Sequence, residues 1–167
     1  LDIENIEFKL CAAEKISLKD ASVDIIFMFK SFHHIPLNLM YDALIEIKRV
    51  LKANGLLYIS EPLFYGEQNE LIALFHDEKL VREKAFEAIE KAVLKEEFKL
   101  FQEIFFNSEI IYNSFKDFQE KQMNLTYNDD YIDESLLNKV KVKYDSLSTN
   151  GKCEFLKPFR VDILQKI

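Results

Sequence analysis

In 167 residues the chain has no tryptophan, three prolines, two cysteines and three glycines, Gly55, Gly66 and Gly151. Each shortage closes off a class of function. Three scattered glycines cannot build a glycine-rich loop that cradles phosphate or a nucleotide. Cys11 and Cys153 lie far apart and match no metal-ligand spacing, and two cysteines make no disulfide framework. They read as small apolar residues in a reducing compartment, so the expected location is the cytoplasm. No apolar run reaches the roughly 18–20 residues of a membrane span. Asp2, Glu4 and Glu7 interrupt the start before a signal-peptide core could form. A net charge of −7 leaves too little excess Lys and Arg for a broad nucleic-acid footprint. What is present is 49% hydrophobic and 31% charged residues, an ordinary globular balance. Residues 1–167 are expected to form a single domain with a real core.

Hydrophobic patterning supplies the element order. "IEFKLCAA", residues 6–13, alternates apolar and polar and predicts a strand. "EKISLKDAS" reads as a loop. "VDIIFMF", 23–29, is a continuous apolar run that suits a strand covered on both faces, as in a parallel sheet. Apolar residues at Leu37, Met40, Leu44, Ile47 and Leu51, widened by Ile45 and Val50, predict an amphipathic helix ended by Asn54 and Gly55. "LLYISEPLF" is a second buried strand, stopped by Pro62. Two strands joined by a helix form the crossover unit of an α/β sheet. Ligands of such sheets sit beyond the carboxyl ends of the strands, here residues 11–14, 29–34 and 61–65.

Further on, residues 67–98 are helical in pattern, with a break near His76 and Asp77. This stretch reads as an insert or cap. "KLFQEIFFN" suits a strand, with helix a close competitor. "NSFKDFQEKQM" and "DESLLNKVKVKYDSL" predict two more helices flanking the turn-rich "TYNDDY". Thr149, Asn150 and Gly151 form a turn, and "CEFLKPFRVDILQKI" a closing strand whose Pro158 points to a sheet edge or a bulge.

"AAEKISLKDASVDIIFMFKSFHHI", followed by "ALIEIKRVLKANGLLYISEP", resembles the class I S-adenosylmethionine-dependent methyltransferases. The resemblance is close over residues 6–62 and looser beyond. It implies a Rossmann-like α/β sheet that is incomplete, holding the third to seventh strands, with the 67–98 insert and a C-terminal antiparallel pair. It also implies S-adenosylmethionine as cofactor and methyl transfer as the reaction. The departures are specific. The first strand and its glycine-rich loop are absent, as is the acidic end of the second strand, so the strand at 6–13 lacks its usual neighbours and is expected to be displaced or buried by an interface. Ala12 stands where many members carry Asp or Asn, Ser17 replaces the usual Pro, and Ala53 and Asn54 replace Pro-Gly. The chain opens on Leu1 rather than Met, so an upstream half is expected; a decayed remnant is the alternative.

His33 and His34 invite a metal reading. Zinc needs three or four ligands in set geometry, and His76 is the only other histidine, so no metal is expected. The resemblance implies that Ala12, Ala13, Phe29, Lys30 and His33 line the cofactor, mostly through backbone. It makes His34 the candidate catalytic residue, as orienter or weak base. Glu61 at the end of its strand is a candidate to face the acceptor. Glu46, Lys48 and Arg49 read as a solvated helix face. The expected partner is a small-molecule acceptor, with no membrane, nucleic acid disfavoured by the acidic surface, and a homo-oligomer as a candidate state. The rival reading is a degenerate, inactive module that serves protein association.

Overall fold

The computed structural model describes residues 4–124 and 132–167. The predicted "TYNDDY" turn lies outside the described residues. In order, the elements are β1 (Val23–Phe29), a 3-10 turn (Phe32–His34), α1 (Met40–Val50), β2 (Leu51–Pro62), α2 (Glu67–Ile72) and α3 (Lys79–Leu94). There follow β3 (Phe98–Tyr112), α4 (Phe115–Phe118), a π-turn (Gln119–Met123), α5 (Glu134–Leu147) and β4 (Cys153–Lys166). The strands form one sheet in the order β1-β2-β4-β3. The β1–β2 pair is parallel, with Phe29 opposite Ser60. On β3 and β4, Phe106 stacks on Phe159 and Tyr112 meets Phe155, so one strand advances as the other recedes. That is the antiparallel pair expected at the C-terminal end.

The chain divides into two compact units. The first comprises Leu1–Glu61, Lys84–Ile104 and Val161–Ile167; the second comprises Pro62–Glu83 and Phe105–Arg160. The first unit's core gathers around α1. Met40, Ala43, Leu44, Ile47 and Val50 are buried at spacings of three and one, which puts them on one stripe of the helix. Leu57 and Ile59 of β2 and Ala85, Ile89 and Ala92 of α3 close over this stripe. Each large apolar side chain buried this way contributes roughly 1.5–3 kcal/mol. Leu37 and Ile45, assigned to the stripe from spacing alone, are exposed. Leu37 precedes the helix, and Ile45 lies about 140° round it from Met40, off the buried stripe.

Four expectations are corrected. Residues 6–13 form no strand; Ile6, Phe8 and Leu10 are exposed. A strand needs a neighbour to take its backbone hydrogen bonds, and among the described residues none lies beyond β1, which is the sheet's edge. The sheet therefore has four strands rather than five. Nor is β1 covered on both faces: Ile25, Phe27 and Phe29, alternate residues that share one face, are exposed.

Asn54 and Gly55 do not end α1. The helix stops at Val50 and β2 begins at once, with a bulge over residues 52–55 marked by the register shift between Val23 and Ile25. Asn54 takes a left-handed φ of 61°, and a Cβ on Gly55 would sit 2.9 Å from the Lys52 carbonyl oxygen. The glycine serves close backbone approach within the bulge. Finally, β4 is an interior strand, so Pro158 is not on an edge. Its carbonyl accepts from Leu63 just past the end of β2 at 2.9 Å.

The predicted insert does split, into α2 and α3 with the break at His76 and Asp77. Asp133 caps α5 by accepting from Leu136 N–H at 2.7 Å. Asn150 and Gly151 are both left-handed, as a tight turn requires. No described helix is long and apolar enough to cross a membrane.

Candidate functional site

The carboxyl ends of β1 and β2 lie side by side because the two strands are parallel and in register up to Phe29 and Ser60. Lys30 then turns into the left-handed region at φ 49°, and its N–H donates to the Ser60 carbonyl at 2.8 Å. The chain winds into the short 3-10 turn, whose Phe32 is fully buried in the first unit's core. Phe32 anchors the loop from below.

Glu61 anchors it from the side. Its Oε1 accepts from Ser31 N–H at 3.0 Å and from Phe32 N–H at 2.7 Å, while Oε2 is bonded to His33 Nδ1. The residue is 1% exposed. A carboxylate so deep in the protein persists only when its oxygens are occupied by donors, and here three donors converge on it. Glu61 therefore faces the loop and not an acceptor, which corrects the expectation. The adjacent histidines are separated in role: His33 is buried on Glu61, whereas His34 is exposed, with the two rings 4.1 Å apart. Phe29 is exposed too, packed in an aromatic group with Phe27 and Tyr58.

Ala12 and Ala13 sit on a different support. Lys15 N–H donates to the Ala12 carbonyl at 3.1 Å, closing a small turn in which Ala12 is exposed and Ala13 half-buried. The residues just after it are held by α1. Glu46 accepts from Ile16 N–H at 2.8 Å; Arg49 donates to the Ile16 and Leu18 carbonyls and to Asp20. Hydrogen bonds from Arg49 hold the Glu46 carboxyl down at about 2. Glu46 and Arg49 are thus not a solvated face but the clasp of the 16–20 loop. Spacing three apart on a helix gave no hint that their partner was loop backbone.

Of the six predicted site residues, the structure groups Phe29, at the end of β1, with Lys30, His33 and His34 of the loop pinned by β2. It places Ala12 and Ala13 on a turn whose following residues α1 holds. The fit to S-adenosylmethionine is partial. Exposed Phe29, His34 and Ala12 offer walls, but the Lys30 N–H and the Glu61 carboxylate are already committed to the protein itself. The 167 residues contain no glycine-rich cradle.

Comparison with known proteins finds similar chains. Residues 2–59, the stretch that builds both loops, match a methyltransferase domain family. A Dictyostelium discoideum protein named as a methyltransferase is 43% identical over 56 residues, which is 34% of this chain and 20% of that protein. The match thus spans only a fifth of that relative's length. The solved YcgJ protein of Bacillus subtilis superposes with a TM-score of 0.67 at 20% identity, covering 98% of this chain and 72% of that one. This is the class I S-adenosylmethionine-dependent methyltransferase fold. A Methanosarcina mazei structure described as an S-adenosylmethionine-dependent methyltransferase shares it, with a TM-score of 0.54 at 16% identity over 96% of this chain and 67% of that one. Among the described residues, the parallel β1–β2 pair carries the pinned 30–34 loop, and β1 is the sheet's edge.

Proposed function

We propose that this chain is part of an S-adenosylmethionine-dependent methyltransferase acting on a small molecule. One observation carries the reading: the 30–34 loop, which Glu61 pins beside the end of β2, lies within residues 2–59, the stretch matched by the methyltransferase domain family. The bound cofactor supplies an electrophilic methyl group on a sulfonium. The protein's share is alignment and exclusion of water. Phe29, Lys30 and buried His33 form the wall at the strand ends, and Ala12 and Ala13 form a second wall through their turn. His34, the exposed ring of the pair, orients the acceptor. The α2–α3 stretch serves as the cap that sets acceptor choice. The acidic chain favours a small acceptor over nucleic acid, and the protein works in the cytoplasm as a homo-oligomer.

A second reading is a non-catalytic association module, favoured by the exposed Ile25, Phe27 and Phe29 on edge strand β1. Thermal unfolding of the complete polypeptide with S-adenosylhomocysteine separates the two. A ligand at about 100 times its Kd stabilises by about 2.7 kcal/mol, a rise of several degrees. No shift at millimolar ligand would select the association module. With methyl transfer established, His34→Ala is expected to lower turnover about tenfold or more while cofactor binding is kept.

A further inference from the structure

We propose that Glu61 is the positioning residue of the site, fixing both the path of the 30–34 loop and the protonated nitrogen of His33 so that His34 leaves the loop in one orientation. The inference rests on the methyltransferase reading for its consequence, but not for its geometry. Glu61 is the first residue past Ser60, the last register partner of β1, so its position is set by the sheet. Its two oxygens divide the work: Oε1 takes two successive backbone N–H groups, Ser31 and Phe32, and Oε2 takes the His33 ring. Two consecutive amides on one oxygen define the local direction of the chain, as a capping carboxylate does at a helix start.

The ring bond adds a second constraint. A carboxylate only accepts, so the bond to Oε2 requires a proton on His33 Nδ1. His33 itself is 4% exposed and packed ring against ring with His34, so rotating one ring displaces the other. Glutamine at position 61 keeps the size and one accepting oxygen but replaces the other with a donor, which opposes an Nδ1–H. Aspartate keeps the charge with a shorter reach.

The test uses the full chain labelled at its histidine nitrogens. In the wild type, His33 is expected to show a protonated Nδ1 throughout pH 5–8. Glu61→Gln should abolish that single state, speed hydrogen exchange of the Ser31 and Phe32 amides at least tenfold, and shift the titration of His34. Glu61→Asp should restore the Nδ1 proton in part. Leu57→Ala, a core truncation in the same strand, is the control for mere destabilisation and should leave the His33 and His34 signals in place. A wild-type His33 protonated on Nε2 alone overturns the proposal without any variant having to fold, as does a His34 titration unchanged in Glu61→Gln. In the complete polypeptide, Glu61→Gln is expected to weaken S-adenosylhomocysteine about tenfold. Absence of binding by the wild type would defeat the methyltransferase reading, and the imidazole measurements would still decide the role of Glu61.

Discussion

The two units are packed from different materials. Around α1 the fully buried side chains are mainly aliphatic, Met40, Leu44, Ile47, Leu57 and Ile59. In the second unit the largest are Tyr112, Phe118 and Tyr144, with Phe118 meeting the rings of Phe75, Tyr112, Phe115 and Tyr144 at centroid distances of 5.1 to 6.1 Å. Aliphatic chains carry no polar atoms, so the first unit can place its polar chemistry at the strand ends. Buried tyrosines bring hydroxyls inside, and each needs a partner. Tyr112 accepts from Gln68 at 2.9 Å, and Tyr144 donates to the Gly151 carbonyl at 3.0 Å. The difference teaches where each unit is vulnerable: one at its clasps and loops, the other at a single aromatic hub.

The largest expected effect tests that hub. Phe118→Ala should cost about 3–5 kcal/mol in urea unfolding, the range for deleting a buried aromatic ring. A loss under about 1 kcal/mol would mean that the second unit does not depend on its ring cluster.

Next come the two pH limbs. Arg49 and Lys48 hold the Glu46 and Glu97 carboxyls low, Glu46 at about 2. A carboxyl lowered on folding stabilises above its unfolded value near 4.5, and this is lost as pH falls towards about 2. The Tm gap between wild type and Glu46→Gln should therefore close over that window. Burial pushes the Tyr112 hydroxyl up to about 12 and raises Tyr144 and the Cys153 thiol as well. A tyrosine raised on folding stabilises fully below its ordinary value of 10, and this is lost as pH climbs towards about 12. Ultraviolet titration should show Tyr112 ionising only with alkaline unfolding. The contrast is one of degree, since Tyr41 in the first unit is also raised and Asp117 in the second is also lowered.

The smallest effect probes the uncovered face of β1. Phe27→Ser should change stability by about 1 kcal/mol or less, because Phe27 is 58% exposed and loses only its ring contacts with Phe29 and Tyr58. A cost above 2 kcal/mol would show that this face is covered in solution, as the expected homo-oligomer would do.

Much of the first unit was legible beforehand. The bounds of β1 coincide with the apolar run at Val23–Phe29, and the helical stripe found α1 apart from its ends. The split of α2 from α3 and the turn at Asn150 and Gly151 were also readable. Errors arose where a local signal depended on a neighbour. Residues 6–13 alternate well, but no strand lies beside them. Gly55 looked like a helix stop because a glycine that permits close approach and one that ends a helix are the same residue type. Glu61 and Glu46 were misjudged because a carboxylate's role depends on which donors surround it, and those donors are backbone amides some thirty residues away in the chain.

By itself the sequence determined the parallel pair and its connecting helix, since periodicity and apolar run length are properties of consecutive residues. It also singled out 29–34 as the proposed site, because ligands of a parallel sheet gather where its strands end. Only the tertiary structure separated His33 from His34, turned Glu61 inward and left one face of β1 bare. Those outcomes depend on which groups meet across the fold, and hydrogen bonding and burial are decided by such meetings, which no spacing along the chain encodes.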